Sequence, residues 1–395
     1  MSAVPQIPTA AWSWPIGKGW ETPYIVRYAS NLDDGPNHGA PLGGFGAGCI
    51  GRAPNGDFNL WHLDGGEHIF ETFPACQFAI FEQTPAGTTT RRLGSHPPSS
   101  PTTSQPPSPP TPDGTYHALY PRSWYQYDTF QAHLCCEQLT PIWPDNYQAA
   151  SYPVAVFAWH LHNPTDQPIT LSILLTWQNM VGWFTNASKS PEVQQRDDGS
   201  PFYDYVPRLL ESAGAFNQLF ESEDVTAVVM DKDWQGAPRE GDGQFCIAVP
   251  KQADVTLTHH TRWNAAEDGA DLWNSFAIDG TLQNVVDTTS AVVDEQIGCA
   301  LAVKVTLQPG DRQELPFALS WDLPVTEFAE GQQAYRRYTD FFGRSGRNAA
   351  EIATTALTHY KTWRQHIIDW QQPILDRPDL PDWFKMALFN ELYDL

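Results

Sequence analysis

Two pairs of strand-forming runs, each pair joined by a proline-containing turn, constrain this chain more than any other feature of it. Val154-Ala-Val-Phe-Ala-Trp-His-Leu161 leads through Asn163-Pro-Thr-Asp-Gln-Pro168 into Ile169-Thr-Leu-Ser-Ile-Leu-Leu-Thr-Trp177. Cys299-Ala-Leu-Ala-Val-Lys-Val-Thr-Leu307 leads through Gln308-Pro-Gly-Asp311 towards Leu315-Pro-Phe-Ala-Leu-Ser-Trp321. β-Branched and aromatic side chains fit a pleated surface, and the Asn, Pro and Gly between the runs supply turn conformations. Each pair is expected to form a hairpin or two neighbouring strands of a sandwich. Shorter runs at 225–230, 245–249, 255–259 and 275–278 read as further strands. Many strands joined by turns, with no long helical period before residue 323, predict a mainly-β chain. Its architecture is expected to be a large antiparallel β-sandwich from about residue 20 to 323.

Composition narrows the function classes. The chain carries 23 Lys+Arg against 46 Asp+Glu, a formal charge of −23, which repels phosphate backbones and anionic headgroups. Nucleic acid and charged membrane surfaces are therefore not expected partners. A chain 41% hydrophobic and 13% aromatic has ample material for a core and is not a disordered one. With only 17% of residues charged, a neutral partner is expected. Sugars fit, because CH faces stack on aromatic rings while hydroxyls seek Asp, Glu, Asn and His. The six cysteines are scattered, with no C-x-x-C pair, and read as reduced thiols. No leader-like start and no run of 18 uncharged apolar residues is present, so a soluble, cytoplasmic protein without a membrane span is expected.

The tract Pro97–Pro112 is half proline and cannot enter a helix or a central strand. It is read as a disordered insertion spanning about 88–115. At Leu323-Pro324 the period changes. Residues 328–342 are expected to form a helix closed by Gly343. A capping-box start at Asn348-Ala-Ala-Glu351 opens a second helix with a stripe of Ala356, Tyr360, Trp363, Ile367 and Trp370, ending before Pro373. A third begins at Pro381 and carries Trp383, Ala387, Leu388, Leu392 and Leu395 on its apolar face. That face has nothing later in the chain to pack against, so the sequence is expected to lack a continuation. Residues 1–323 are thus assigned to the sandwich and 324–395 to a helical linker and first helix.

The motifs give no complete catalytic constellation. Gly46-Ala-Gly48-Cys-Ile-Gly51 satisfies G-x-G-x-x-G, but Arg52-Ala-Pro54-Asn-Gly56 cannot start the helix that a dinucleotide loop requires. Residues 57–71 gather four carboxylates, two histidines and Trp61. Here Trp61 would stack a sugar while Asp64, Glu67 or His68 binds hydroxyls; a metal reading uses His62, Asp64 and His68. The bland alternative is a polar hairpin with satisfied side chains. His160 and His162 share a strand face, where a structural role outweighs ligation. Trp159, Trp177 and Trp321 read as core anchors. No residue pattern calls for a cofactor or a metal.

Several segments together resemble glycoside hydrolase family 116, the non-lysosomal β-glucosidase/glucosylceramidase type. They are Ile7-Pro-Thr-Ala-Ala-Trp12, Pro41-Leu-Gly-Gly-Phe-Gly-Ala-Gly-Cys-Ile-Gly-Arg52, Gly56-Asp-Phe-Asn-Leu-Trp-His-Leu63, Val156-Phe-Ala-Trp-His-Leu161 with Trp177-Gln-Asn179, and Leu380-Pro-Asp-Trp-Phe-Lys-Met-Ala-Leu-Phe-Asn-Glu-Leu-Tyr393. The resemblance implies a galactose-mutarotase-like N-terminal β-sandwich followed by an (α/α)6 barrel, here truncated. It implies a retaining glycosidase acting on a glucoside or glycolipid, with a Glu nucleophile and an Asp acid/base. Retention needs the two carboxyls about 5–5.5 Å apart. In the family both come from the helical domain, beyond residue 395, so no residue here is assigned a catalytic role and this chain alone is expected to be inactive. Glu391 as nucleophile is the lesser alternative. A non-catalytic carbohydrate-binding sandwich, or an interaction fragment, is the alternative function.

Overall fold

The computed structural model describes residues 5–17, 38–63, 69–94, 113–183, 193–195, 197–203, 212–267, 269–328 and 332–393. The proline tract 97–112 lies outside the described residues, as do Asp64, Glu67, His68 and Leu395, but the edges of the expected insertion at 88–115 are corrected: 88–92 and 114–115 lie in the strands Gly87–Arg92 and Gly114–Leu119.

Among the described residues strands take 41% and helices 18%, so the mainly-β expectation holds. The nine-stranded sheet runs in the order Trp12–Pro15, Gly114–Leu119, Arg122–Tyr127, His133–Leu139, Val154–His162, Arg312–Asp322, Gln244–Pro250, Val225–Lys232, Ala215–Glu221. The five-stranded sheet runs Val255–Asn264, Ile297–Leu307, Ile169–Gln178, Gln77–Thr84, Gly87–Arg92. Their inner faces meet in one core, where Phe157, Trp159, Phe317 and Trp321 from the large sheet face Phe78, Ile173, Leu175 and Trp177 from the small one. Phe78 joins the layers, its ring 5.3 Å from Trp159 and 5.9 Å from Phe317 between centroids, both edge-on.

The two run-and-turn pairs are sandwich neighbours and not hairpins. In each, one run enters the large sheet and the other the small, so each turn carries the chain across the core. The turns are also locked together. Asn163 N–H donates to the Asp311 carbonyl at 3.0 Å and Gly310 N–H to the Asn163 carbonyl at 2.9 Å. The Asn163 amide donates to Gln167 and Leu307 carbonyls at 2.8 and 3.0 Å. Asn163 is fully buried, so each of its donors needs such a partner.

The large sheet is covered on its outer face as well. There the strands present Ala158, Ala227, Ala248 and Ala318, and the long helix Ala349–Leu375 lays Ile352, Ala353, Ala356, Tyr360, Trp363 and Ile367 against them. Small residues on both sides let helix and sheet approach, and burying Ile352 and Ile367 completely contributes about 1.5–3 kcal/mol each. The small sheet is covered by the helix Ala270–Asp279 through Leu272 and Phe276.

Three local expectations are corrected. Residues 275–278 belong to that helix and not to a strand. Residues 328–342 form no single helix; an antiparallel hairpin, Val325–Phe328 with Gln332–Tyr335, precedes a short helix Thr339–Phe342 that Gly343 closes. The long helix starts at Asn348 as expected but runs through Pro373 to Leu375, the proline sitting exposed in the last turn. Its Asn348 makes no capping bond. The side chain and backbone N–H both donate to the buried Asp322, at 2.9 and 2.8 Å, which also accepts from Tyr338 Oη at 2.9 Å. The last helix, Asp382–Asn390, begins after Pro381 as read. It packs Phe389 edge-on to Trp370 at 5.2 Å, while Trp383, Phe384 and Leu388 remain exposed.

Candidate functional site

The segment expected to face a sugar begins on the strand Phe58–His62, which pairs with Cys49–Arg52 and through it with Pro41–Leu42. Trp61 is 0% exposed and pairs through its backbone with Ile69. Its indole N–H donates to the Glu71 carbonyl at 2.7 Å, and its ring lies 5.2 Å from Phe73 and 5.8 Å from Trp177. A ring covered on this scale has no face to give a sugar. The stacking role expected of Trp61 is corrected to a core anchor, because its strand turns the indole inward and its one polar atom is already satisfied. Asp57 is buried, accepting from the Asn55 amide at 2.8 Å.

The glycine-rich segment forms a turn and a strand and opens no helix, so the dinucleotide motif is a formal match only. Gly43, at φ +118°, sits where an added Cβ would meet the Gly48 carbonyl at 2.4 Å and the Trp321 ring at 2.7 Å. The turn closes over Trp321, whose N–H donates to the Ala47 carbonyl at 2.8 Å. Arg336, from the hairpin after the sandwich, donates to the Gly46 and Leu63 carbonyls and so ties this turn to the end of the Trp61 strand. Arg52 is fully buried beneath it, donating to the Gly56 carbonyl and Tyr127 Oη, each at 3.2 Å, with its guanidinium 4.1 Å from the Tyr125 ring centre.

Beside the Trp61 strand opens a cleft of about 290 Å³, lined by Glu71, Thr72, Phe73, Pro74, Gln178, Trp183, Ala265, Ala266, Glu267 and Gln296. Glu71 and Glu267 stand exposed at it, while Gln178 is buried and donates to Gln296 Oε1 at 2.9 Å. Trp183 is 1% exposed, edge-on to Phe73 at 5.4 Å, and its buried N–H has no partner among the described residues. Two exposed carboxylates and a bonded amide pair share the cleft with the apolar Phe73 and Pro74. Of these residues, reading the sequence flagged only the segment holding Glu71 and the family-like Trp177-Gln-Asn179. Trp183, Glu267 and Gln296 come from three distant loops, and no spacing could have grouped them.

A second polar cluster lies under the long helix. Glu137, 1% exposed at its side chain, has Arg364 Nε at 2.8 Å, Arg122 Nη1 at 3.4 Å and His160 Nε2 at 3.4 Å. The Arg364 contact is a charge pair without hydrogen-bond alignment. Arg364 also donates to Glu314 at 3.1 Å, and Tyr360 Oη donates to the same carboxylate. Burial alone would raise the Glu137 carboxyl, but Arg364 and the neighbouring His160 and Arg122 hold it down at about 2. His160 therefore serves a structural clamp, as its strand position suggested, and His162 pairs with His133, Nδ1 to Nδ1 at 3.3 Å. Among the described residues no group of three or more His, Cys, Asp or Glu side chains is placed to hold a metal ion.

Among solved structures the chain is similar to a putative kojibiose phosphorylase from human microbiome, at 9% identity and a TM-score of 0.36. The likeness covers 90% of this chain and 38% of that one, so this chain spans well under half of that protein's length. No described helix is long and apolar enough to cross a membrane. Residues 39–363 match the family model described as beta-glucosidase 2, glycosyl-hydrolase family 116 N-term. The matched span takes in the glycine-rich turn, both sheets but for the edge strand Trp12–Pro15, the cleft and the first half of the long helix, and the chain therefore belongs to glycosyl-hydrolase family 116, through that family's N-terminal domain.

Proposed function

We propose that this chain is the N-terminal portion of a retaining β-glucosidase of the glucosylceramidase type, hydrolysing O-glucosidic bonds of glucoside or glycolipid substrates in the cytoplasm. The family match over residues 39–363 is the observation that carries the reading. In it, residues 1–323 are the sandwich and 324–395 open an (α/α)6 domain that supplies the Glu nucleophile and the Asp acid/base. The buried carboxylates described here support that division, because they have structural duties: Glu137 is clamped by arginines, and Asp322 holds Tyr338 and Asn348. Glu391 is exposed in a 3-10 turn after the last helix. Six free cysteines with no bridge among them support a reducing compartment.

The test is hydrolysis of 4-nitrophenyl β-glucoside. Residues 1–395 alone are expected to give no turnover above buffer. Joined to a complete helical domain of the family, they are expected to release first the β-anomer of glucose, which proton NMR identifies. Turnover by 1–395 alone overturns the placement of the carboxylates, and first release of the α-anomer overturns retention.

A further inference from the structure

We propose that His133 and His162 form a two-histidine binding site for a divalent metal ion of the zinc type, on the outer face of the large sheet. Register builds the pair. His133 opens one strand and His162 closes the next, and the antiparallel ladder sets them directly opposite each other. Their neighbours Leu134 and Leu161 point into the core, so both imidazoles point outward. His133 is exposed and His162 half-buried, and water reaches both. Their Nδ1 atoms stand 3.3 Å apart, with ring centroids at 5.3 Å and ring planes inclined by 60°. Spacing along the chain could not have paired them, since 29 residues separate the two.

The distance selects the ion. Two nitrogens bound to tetrahedral zinc, each about 2.0–2.1 Å from it, lie about 3.3–3.4 Å apart. Neighbouring corners of a square-planar ion at the same bond length would bring them to about 2.8–3.0 Å. The observed 3.3 Å is long for a hydrogen bond and matches the tetrahedral pair. Magnesium and calcium take oxygen ligands and find none in two imidazoles. One Nδ1 now donates to the other; on binding, its proton moves to Nε2, so both Nδ1 lone pairs face the ion and no electron is transferred. Burial, Arg312 on the adjoining strand and His133 all disfavour the charged form of His162, leaving the neutral ring that ligates. Among the described residues no third His, Cys, Asp or Glu joins the pair, so water completes the shell. With two protein ligands and a cation in Arg312 nearby, binding is expected to be micromolar. The ion would tie two strand ends together beside the turn at Asn163.

The experiment is calorimetric titration of the full, chelator-treated chain with zinc chloride in a magnesium-containing buffer. One ion per chain is expected to bind with a Kd of about 1–100 µM. His133→Gln and His162→Gln are each expected to weaken it at least about tenfold, since one imidazole alone cannot chelate. Zinc above its Kd is expected to raise the thermal midpoint of the unaltered chain and not that of the variants. Cobalt(II) at the same site is expected to show the strong visible absorption of a tetrahedral ion. Either substitution breaks the pair, so a variant that fails to fold leaves the other as the test. No saturation below about 1 mM zinc overturns the proposal. So does one-site binding that both variants retain, or the weak spectrum of octahedral cobalt. None of these outcomes bears on the glucosidase reading, which the aryl-glucoside assay tests by itself.

Discussion

Arg52 shows how much a single residue can depend on its surroundings. It is completely buried, and among the described residues its hydrogen-bond acceptors are the Gly56 carbonyl, Tyr127 and the Cys136 sulfur, none of them a carboxylate. The faces of Tyr125 and Phe78, 4.1 and 5.0 Å from the guanidinium carbon, complete its shell. Arg52→Ala is expected to cost about 3–5 kcal/mol, because acceptors and rings are left facing a void; the urea midpoint reads it. Trp61→Ala is expected to lose a similar amount of stability with glucoside affinity unchanged, the reverse of what a sugar platform would show. Glu137 adds a pH dependence. Its folded value of about 2 lies below the ordinary 4.5, so its contribution is whole above pH 4.5 and is lost as pH falls towards 2. That contribution is roughly 3 kcal/mol. Glu137→Gln is expected to flatten acid unfolding in that window, and an unchanged acid limb would refute the clamp. None of these roles was legible in the sequence, since a buried Arg, Trp or Glu looks the same there as an exposed one.

At the scale of elements, periodicity served well wherever one face alone was buried. The stripe of the long helix, Ala356, Tyr360, Trp363 and Ile367, was read directly and packs on the sheet. The runs 154–161 and 169–177 were recognised as strands, but their sheet membership was not. Residues 154–158 are buried on both faces, inward through Ala155 and Phe157 and outward through Val154, Val156 and Ala158, so no alternation remains to show direction. The hairpin at 325–335 was missed because its sequence, rich in Glu, Gln and Ala, has helical propensity that backbone pairing overrode. Ala356→Leu is expected to destabilise by about 1–3 kcal/mol, since the alanines of sheet and helix leave no room for a larger side chain; equilibrium unfolding reads it.

For the whole molecule, the sequence by itself determined the class: strand runs, turn residues, few charges and many aromatics specify a large antiparallel sandwich with helices after it. It also carried the family motifs, and those at 41–52, 56–63, 156–161 and 177–179 fall within the match over 39–363. Tertiary structure alone decided which residues meet. The linked turns at 163 and 310 come together only when two sheets stack, and Arg364 reaches Glu137 only when the long helix lies across the strands. Trp183 and Gln296 line one cleft for the same reason. Propensity and pattern act over a few neighbouring residues, whereas a site or a clamp is a long-range coincidence in space, and only the packed chain states it.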